Sequence, residues 1–419
     1  MDLRPSDRHF LRDANIVAVA SAIRQHQPIS RVALADRTGL GRSTITTIIN
    51  TLLDSGLVRE TGEAESAGGR RPILLELVDR ARLVVTVRLA PQTISLGLAD
   101  LFGRIVFKQR RGMRVPTHRW QEVLEQVCVW TLEMLKEAGA AGKVMGLGIA
   151  LPGAVDLRSG RVTSRELGWE NVAVAAWMKE RLGFSVVAEN ETNAFILGEA
   201  LQGVAAGRCD VLGTVLGSTI TAGMLLDGHI YRGPSAASGG IGHVNVEPGG
   251  PLCSCGAQGC LQAVAADQAI VISARAALEA GTESLMSELV EGRLDALTRG
   301  VIVAAAQDGD RLALGLLAES GSQVGSVLGV LASALHPSAV VIGGEAVEQA
   351  GGLLLEPLAA ALRLRLPPWL ADHIDVLPAS VGENAWLIGA AAQVLEMVFA
   401  PPTGGDEVSL VTWQQGERA

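Results

Sequence analysis

Along the first 80 residues the apolar positions recur at helical spacing. In 14–26, Ile16, Val19, Ala20 and Ile23 share one face, which predicts a helix that Pro28 stops. Ser30 can cap a short second helix over 31–39, which Gly39 ends. Gly41 and Arg42 make the turn. A third helix starts at Ser43, with Ile45, Ile48, Ile49, Leu52 and Leu53 inward, and Gly56 closes it. The pattern then changes: 57–60 reads as a strand, 61–72 as a Gly-rich turn and 73–78 as a second strand.

One helix, a helix–turn–helix and a two-stranded wing make a winged helix-turn-helix. From about residue 82, short β-branched strands alternate with helices. The predicted strands are 83–89, 94–100, 104–109, 144–150, 186–190, 211–217, 222–228 and 339–344. The predicted helices are 119–139, 174–182, 192–202, 265–280 and 312–335. This order implies α/β layers, with the 211–213 and 340–344 regions as cores of separate halves. The expected domains are a DNA-binding head over 1–80, a body over 81–400 and a loose tail over 401–419. No short-period repeat is visible.

The chain has 419 residues, of which 48% are apolar and 19% charged, so it can build sizeable cores and is no disordered chain. Unbroken apolar runs such as 172–178 and 301–306 are far shorter than the roughly 20 residues that span a bilayer. The N-terminus has no apolar core of a signal peptide. A cytoplasmic protein with no membrane partner is the expectation. The net charge is −9, which argues against nucleic acid, but it is uneven. Residues 1–80 hold 11 Arg and 10 Asp/Glu, a net of +1, and the remainder carries −10. A neutral-to-basic head on an acidic body is compatible with DNA binding by the head alone.

The head offers two surfaces to a duplex. The N-terminal residues of a third helix of this kind enter the major groove, which nominates Arg42, Ser43, Thr44, Thr46 and Thr47. Small hydroxyl groups can meet phosphates or base edges, and Arg42 can reach a phosphate or a guanine. The wing carries Arg70 and Arg71 after Gly68-Gly69, suited to a narrow minor groove. The plainer alternative is that both arginines are solvated or pair with Glu63 and Glu65.

Three of the five cysteines fall within eight residues: His243 is followed by Cys253-x-Cys255-Gly-x-x-Gly-Cys260. In a reducing compartment such a cluster reads as metal binding before disulfide. Three thiolates and one imidazole make a closed tetrahedral Zn2+ shell, structural because no coordination position stays open. Gly256 and Gly259 let the chain turn tightly enough for the sulfurs to meet. Four unconnected residues in a Gly-rich loop is the alternative.

The stretch 225–262, with that motif, resembles the ROK family of repressors and sugar kinases. The resemblance continues in ALPGAVD (150–156), ENETNAFILGEA (189–200), HPSAVVIGG (336–344) and GENAWLIGAAA (382–392). It implies two actin-like (ribonuclease H-like) α/β lobes, a zinc loop near a sugar cleft, and a homodimer or homotetramer. Departures from the kinase branch follow. Where kinases carry Asp-x-Gly-Gly-Thr for ATP phosphates, this chain has Arg88-Leu89-Ala90-Pro91-Gln92-Thr93, and Pro91 has no N–H to offer. The second phosphate loop, Gly-Thr-Gly-Ile-Gly, reads Gly217-Ser218-Thr219-Ile220-Thr221. The position of the catalytic Asp is Glu191, whose reach differs by about one methylene.

At the family's sugar-binding positions this chain has Glu166, Asn190, Glu191, Gly240, His243 and Gln262, with only Asn190 and His243 unchanged. Either a larger or modified sugar binds, such as an oligosaccharide or a sugar phosphate, or no sugar does. The resemblance therefore implies a DNA-binding transcriptional regulator, a repressor of carbohydrate-use genes with a double-stranded operator and a sugar-derived effector, and no enzyme. The rivals are a sugar kinase carrying a DNA-binding head and a ligand-independent regulator.

Overall fold

The computed structural model describes residues 5–63, 71–234 and 236–400. Arg70, the wing tip and the tail from 401 lie outside the described residues. The chain up to Glu191 forms one compact unit with the segment from Leu387, and Thr192–Trp386 forms a second.

In the first unit the head comprises α1 (Pro5–His26), β1 (Ile29–Ser30), α2 (Arg31–Thr38), α3 (Arg42–Asp54), β2 (Val58–Glu63) and β3 (Ile73–Leu77). Ser30 caps α2 by accepting a hydrogen bond from Ala33 N, and Gly39 ends it in the left-handed region at φ 69°. Helix α3 begins one residue earlier than its sequence suggested, at Arg42 with Gly41 as cap, because a glycine cap leaves Arg42 free to take helical angles. The wing is antiparallel, Val58 facing Leu77 and Glu63 facing Ile73, with a bulge between Glu60 and Gly62. β1 pairs with the other edge of β3, Ile29 facing Leu75, which ties the wing to the helices.

The first lobe follows as β4 (Leu83–Leu89), β5 (Thr93–Ala99), β6 (Ile105–Gly112), α4 (Trp120–Glu137), β7 (Val144–Leu151), β8 (Ala154–Asp156), β9 (Arg161–Ser164), β10 (Trp169–Ala173), α5 (Val174–Leu182) and β11 (Val186–Asn190). Its main sheet has the order β11-β7-β4-β5-β6. β4, β7 and β11 are parallel, and β5 and β6 are antiparallel additions.

Helix α6 (Glu191–Gln202) leads into the second unit. There follow β12 (Val211–Leu216), β13 (Ile220–Leu226), β14 (His229–Ile230), α7 (Leu261–Ala265), α8 (Asp267–Glu279), α9 (Leu285–Leu289), α10 (Arg299–Gln307), α11 (Arg311–Leu335), β15 (Ala339–Gly343), α12 (Glu345–Ala350), α13 (Gly352–Leu364), α14 (Pro368–Ala371), β16 (Asp375–Pro378) and α15 (Asn384–Phe399). The sheet order is β14-β13-β12-β15-β16, with β12, β15 and β16 parallel. The two sheets thus repeat one plan, an antiparallel meander followed by two parallel crossover strands. These are the two actin-like lobes, a repeat of architecture that no sequence period betrays.

Three expectations change. The 211–213 and 340–344 regions, expected as cores of separate halves, are neighbouring parallel strands of one sheet, Gly213 facing Val341, because a crossover connection brings β15 back beside β12. The helix expected over 265–280 is broken at Ala266, which is extended at ψ 167°. The break lets Asp267 N donate to Gly217 O at 3.1 Å. Short apolar runs also understated α11, which is long and apolar enough to cross a membrane by length and composition. Its inner face, from Leu317 through Val324 and Leu328 to Ala332, is packed in the core of the second unit. That burial explains the apolarity without lipid.

The core of the head continues into the first lobe. Ile16, Val19 and Ile23 of α1, with Leu34, Ile45, Ile49 and Leu75, belong to one apolar cluster with Val84, Met145, Val187, Val394, Val398 and Phe399. Helix α15 is drawn against its neighbours by small residues: a Cβ at Gly148 would strike the Ala390 carbonyl.

Candidate functional site

The recognition surface of the head is built by burial. Ile45, Ile48, Ile49 and Leu52 of α3 are inward, which leaves Arg42, Ser43, Thr46 and Thr47 exposed and Thr44 half-buried. The hydroxyls of Thr46 and Thr47 donate to the carbonyls of Arg42 and Ser43 at 2.9 and 3.1 Å. They therefore present methyl groups and acceptor lone pairs outward, suited to a thymine methyl or a base amino group more than to phosphate. Arg42, in the first helical turn, has both its own charge and the positive end of the helix dipole to offer phosphate. Arg71 is exposed just before β3.

In the second unit the four expected metal ligands converge. One donor atom from each of His243, Cys253, Cys255 and Cys260 can be chosen so that all lie within 4.8 Å of one another. Cys253 Sγ is 3.6 Å from His243 Nδ1, and Cys255 Sγ is 3.7 Å from Cys260 Sγ. A tetrahedron with metal–sulfur bonds of about 2.3 Å has edges of about 3.8 Å, so these separations are those of a metal shell. Local backbone makes it. Cys253 N donates to Ala257 O and Gly256 N to Cys253 O, while Gly256 and Gly259 sit at φ 93° and 69°. A Cβ at Gly259 would strike the Glu247 carbonyl. Crowding already sets the thiols apart. Hydrogen bonding, first from Ala257, holds Cys255 below the usual thiol range. Desolvation first, then its sulfur neighbours, pushes Cys260 up to about 11. To become three thiolates this close together, the cysteines would need a cation among them.

Beside this loop, Gln262 on α7 reaches the turn bearing His243. A Cβ built on Gly242 would lie 3.1 Å from Gln262 Oε1. Gly240 faces open space, so the carboxylate missing there is replaced by room.

The first unit gathers the other three expected ligand residues. Asn190 ends β11 and donates through Nδ2 to Gly153 O at 2.8 Å. Glu191 opens α6 and pairs with Arg88 of β4 at 3.5 Å. Burial raises the Glu191 carboxyl, and Arg88 opposes it. Glu166, between β9 and β10, is pushed up to about 7, first by burial, then by Glu191, with Arg88 opposing. The residue in the kinase aspartate's place has thus become the partner of the residue in the base's place.

The two turns at the positions of the kinase phosphate loops each make internal backbone hydrogen bonds. Ala90 N donates to Thr93 O and Thr93 N to Ala90 O, with Pro91 between them. In the other loop Gly217 N donates to Thr219 O at 3.1 Å, and the Thr221 and Thr192 hydroxyls are 2.6 Å apart. The N–H groups of Ala90, Thr93 and Gly217 are thus used internally and are not offered to a phosphate.

Residues 84–397 match the ROK family. The chain belongs to the ROK family. Residues 13–59 also match the winged helix-turn-helix DNA-binding family. The chain is similar to the xylose repressor of Bacillus spizizenii, 26% identical over 93% of this chain and 97% of that one. A solved ROK family transcriptional regulator, a homolog of the E. coli MLC protein, superposes with TM-score 0.78 at 26% identity, covering 91% of this chain and 95% of its own. A ROK family glucokinase from Streptomyces griseus, in complex with glucose and AMPPNP, superposes with TM-score 0.65 at 30% identity. It covers 98% of its own chain and 74% of this one, about the share that the ROK match alone occupies.

Proposed function

We propose that this protein is a sugar-responsive transcriptional regulator, a repressor of carbohydrate-use genes that binds an operator through its head. The observation that carries this reading is the winged head, three helices and the paired strands β2 and β3, whose core is continuous with that of the first lobe. Relatives that align along nearly the whole chain bear the names of a xylose repressor, a DNA-binding transcriptional repressor and a DNA-binding transcriptional dual regulator, which supports the same reading.

The four-residue cluster would hold a structural Zn2+. With Nδ1 turned to the metal, His243 keeps Nε2–H as a donor, so the metal would fix the ring that greets a sugar hydroxyl. The candidate effector residues of the first unit are Asn190, Glu191 and Glu166; those of the second, taken by itself, are His243 and Gln262. Helix α15 links the two units: Trp386 packs in the second unit's core, Val398 and Phe399 on the head's. A ligand that favours one lobe arrangement would bias the head through it, a population shift. A homodimer would place two heads on a roughly palindromic site. DNA binding puts the protein in the compartment that holds the chromosome.

The test has two arms. Duplexes selected from a random pool by the full chain should compete in fluorescence anisotropy. Arg42→Ala should then weaken binding about 10-fold and reduce the salt slope by about 1. A sugar panel followed by thermal shift should find a ligand that raises the melting temperature and changes operator affinity. No selectable duplex would refute the DNA-binding reading, and no sugar shift would refute the effector reading. Kinase chemistry has no support from the two internally bonded turns, and a coupled ADP assay over the same sugars should show no turnover that Glu191→Ala abolishes.

A further inference from the structure

In the second unit the parallel strands β12 and β15 end side by side. The crevice outside the carboxyl ends of such strands is where an open α/β sheet takes a nucleotide. At that end of the sheet Gly217 of the β12 end, Asp267 of α8, Arg299 of α10 and Ala346 of α12 close over a small void whose floor is apolar core, among it Ile270, Leu317 and Leu354. The void holds about 10 Å³, barely the room of one water.

Arg299 closes it. The side chain is only 8% exposed although it carries a full charge. It pairs through Nη1 with the Asp267 carboxylate, through Nη2 with Glu345 Oε2 at 3.3 Å, and donates through Nε to Gln349 Oε1 at 3.1 Å. Each guanidinium nitrogen is therefore engaged, by partners from α8 and α12. A charge buried in this way persists only when so surrounded. Asp267 is also anchored to Gly217 O, and Glu345 follows directly on Gly343-Gly344. The partners of Arg299 are thus carboxylates at the two strand ends, the class of group that a ribose would engage.

We propose that Arg299 is a built-in occupant of the nucleoside crevice, so that this lobe rejects purine nucleosides because its own guanidinium fills their place. This goes beyond the regulator reading, which rests on the head and on the loss of phosphate donors. Nucleoside binding also reads out independently of operator binding. Emptying the crevice should create a site for adenosine, without phosphates, since both turns keep their internal hydrogen bonds.

The experiment uses the full chain and adenosine as the probe, with titration calorimetry and thermal shift. The wild type should show no saturable binding. Arg299→Ala combined with Asp267→Gly removes the plug without stranding its carboxylate, and should bind adenosine with a Kd of roughly 1 mM or tighter. Arg299→Met combined with Asp267→Asn keeps the bulk without the charge and should bind none. Glu345→Ala with Gln349→Ala, at the exposed end of the network, releases Arg299 and should give a weaker gain. This second route covers the case in which the first variant does not fold. Adenosine binding by the wild type, or by the Met variant as well as the Ala variant, would overturn the proposal. So would a cooperatively folded emptied variant that binds none.

Discussion

Glu166 is a carboxyl held in a place where its charge is unwelcome. Its pKa is pushed up to about 7 from 4.5, by burial first and then by Glu191, so the folded state prefers it protonated. A group raised in this way costs nothing below pH 4.5. Its penalty grows as pH rises towards 7, then stays constant. Glu166→Gln removes that penalty. The variant should match the wild type in melting at pH 4.5 and exceed it by about 1–2 kcal/mol above pH 7, solvent screening included. Equal melting curves at pH 8 would show that Glu166 is solvated. Cys255 gives the opposite case. Cys255→Ser removes one of four converging donors, so the purified variant should carry no stoichiometric zinc by elemental analysis and should melt at a lower temperature. Full zinc content in that variant would remove the cluster from the metal assignment.

Helices show which parts of the fold the sequence announced. α3 and α5 were legible because one face is apolar at helical spacing and their ends carry caps or glycines. α15 was not. Its composition is apolar on nearly every side, so no period separates inside from outside, and its place is set by partners distant in sequence. α13 does carry a helical stripe, Leu354, Leu358 and Leu362, which went unread. The convergence of His243, Cys253, Cys255 and Cys260 was legible, since sulfurs in one short loop need only local turns to meet. Arg88 was visible as a lost carboxylate, but its pairing with Glu191 is a contact 103 residues apart in the chain. Arg299 gave the least signal of all: one Arg at the start of an apolar helix looks like a solvated end until the fold buries it. The neglected α15 makes a direct prediction. Phe399 is 9% exposed, Arg24 lies over its ring at 4.8 Å, and Ser21 Oγ donates to its carbonyl at 2.9 Å. Phe399→Ala should destabilise the first unit by about 2–4 kcal/mol and weaken operator binding, although the residue is far along the chain from the recognition helix. Unchanged DNA affinity with lowered stability would confine α15 to a packing role.

At the scale of the whole chain, cooperativity is the measurable consequence of where the cores lie. A head tethered to a body by a linker would melt as a unit of its own. Here α1 shares its apolar cluster with β4, β7 and α15, so separating the head would expose Val84, Met145 and Val398 as well as Ile16 and Ile23. The second unit has separate clusters around α11 and α6. Calorimetry of the full chain should therefore show two transitions and no third for the head. A selected operator duplex should raise the first, because DNA binds a head that unfolds with its lobe. Chelation should lower the second, because the His243 and cysteine loop lies in that unit. Phe399→Ala should move the first transition, and Cys255→Ser the second. A separate low-temperature transition, raised by DNA and untouched by Phe399→Ala, would mean that the shared core does not couple head to lobe. The route from effector to operator would then have to run elsewhere.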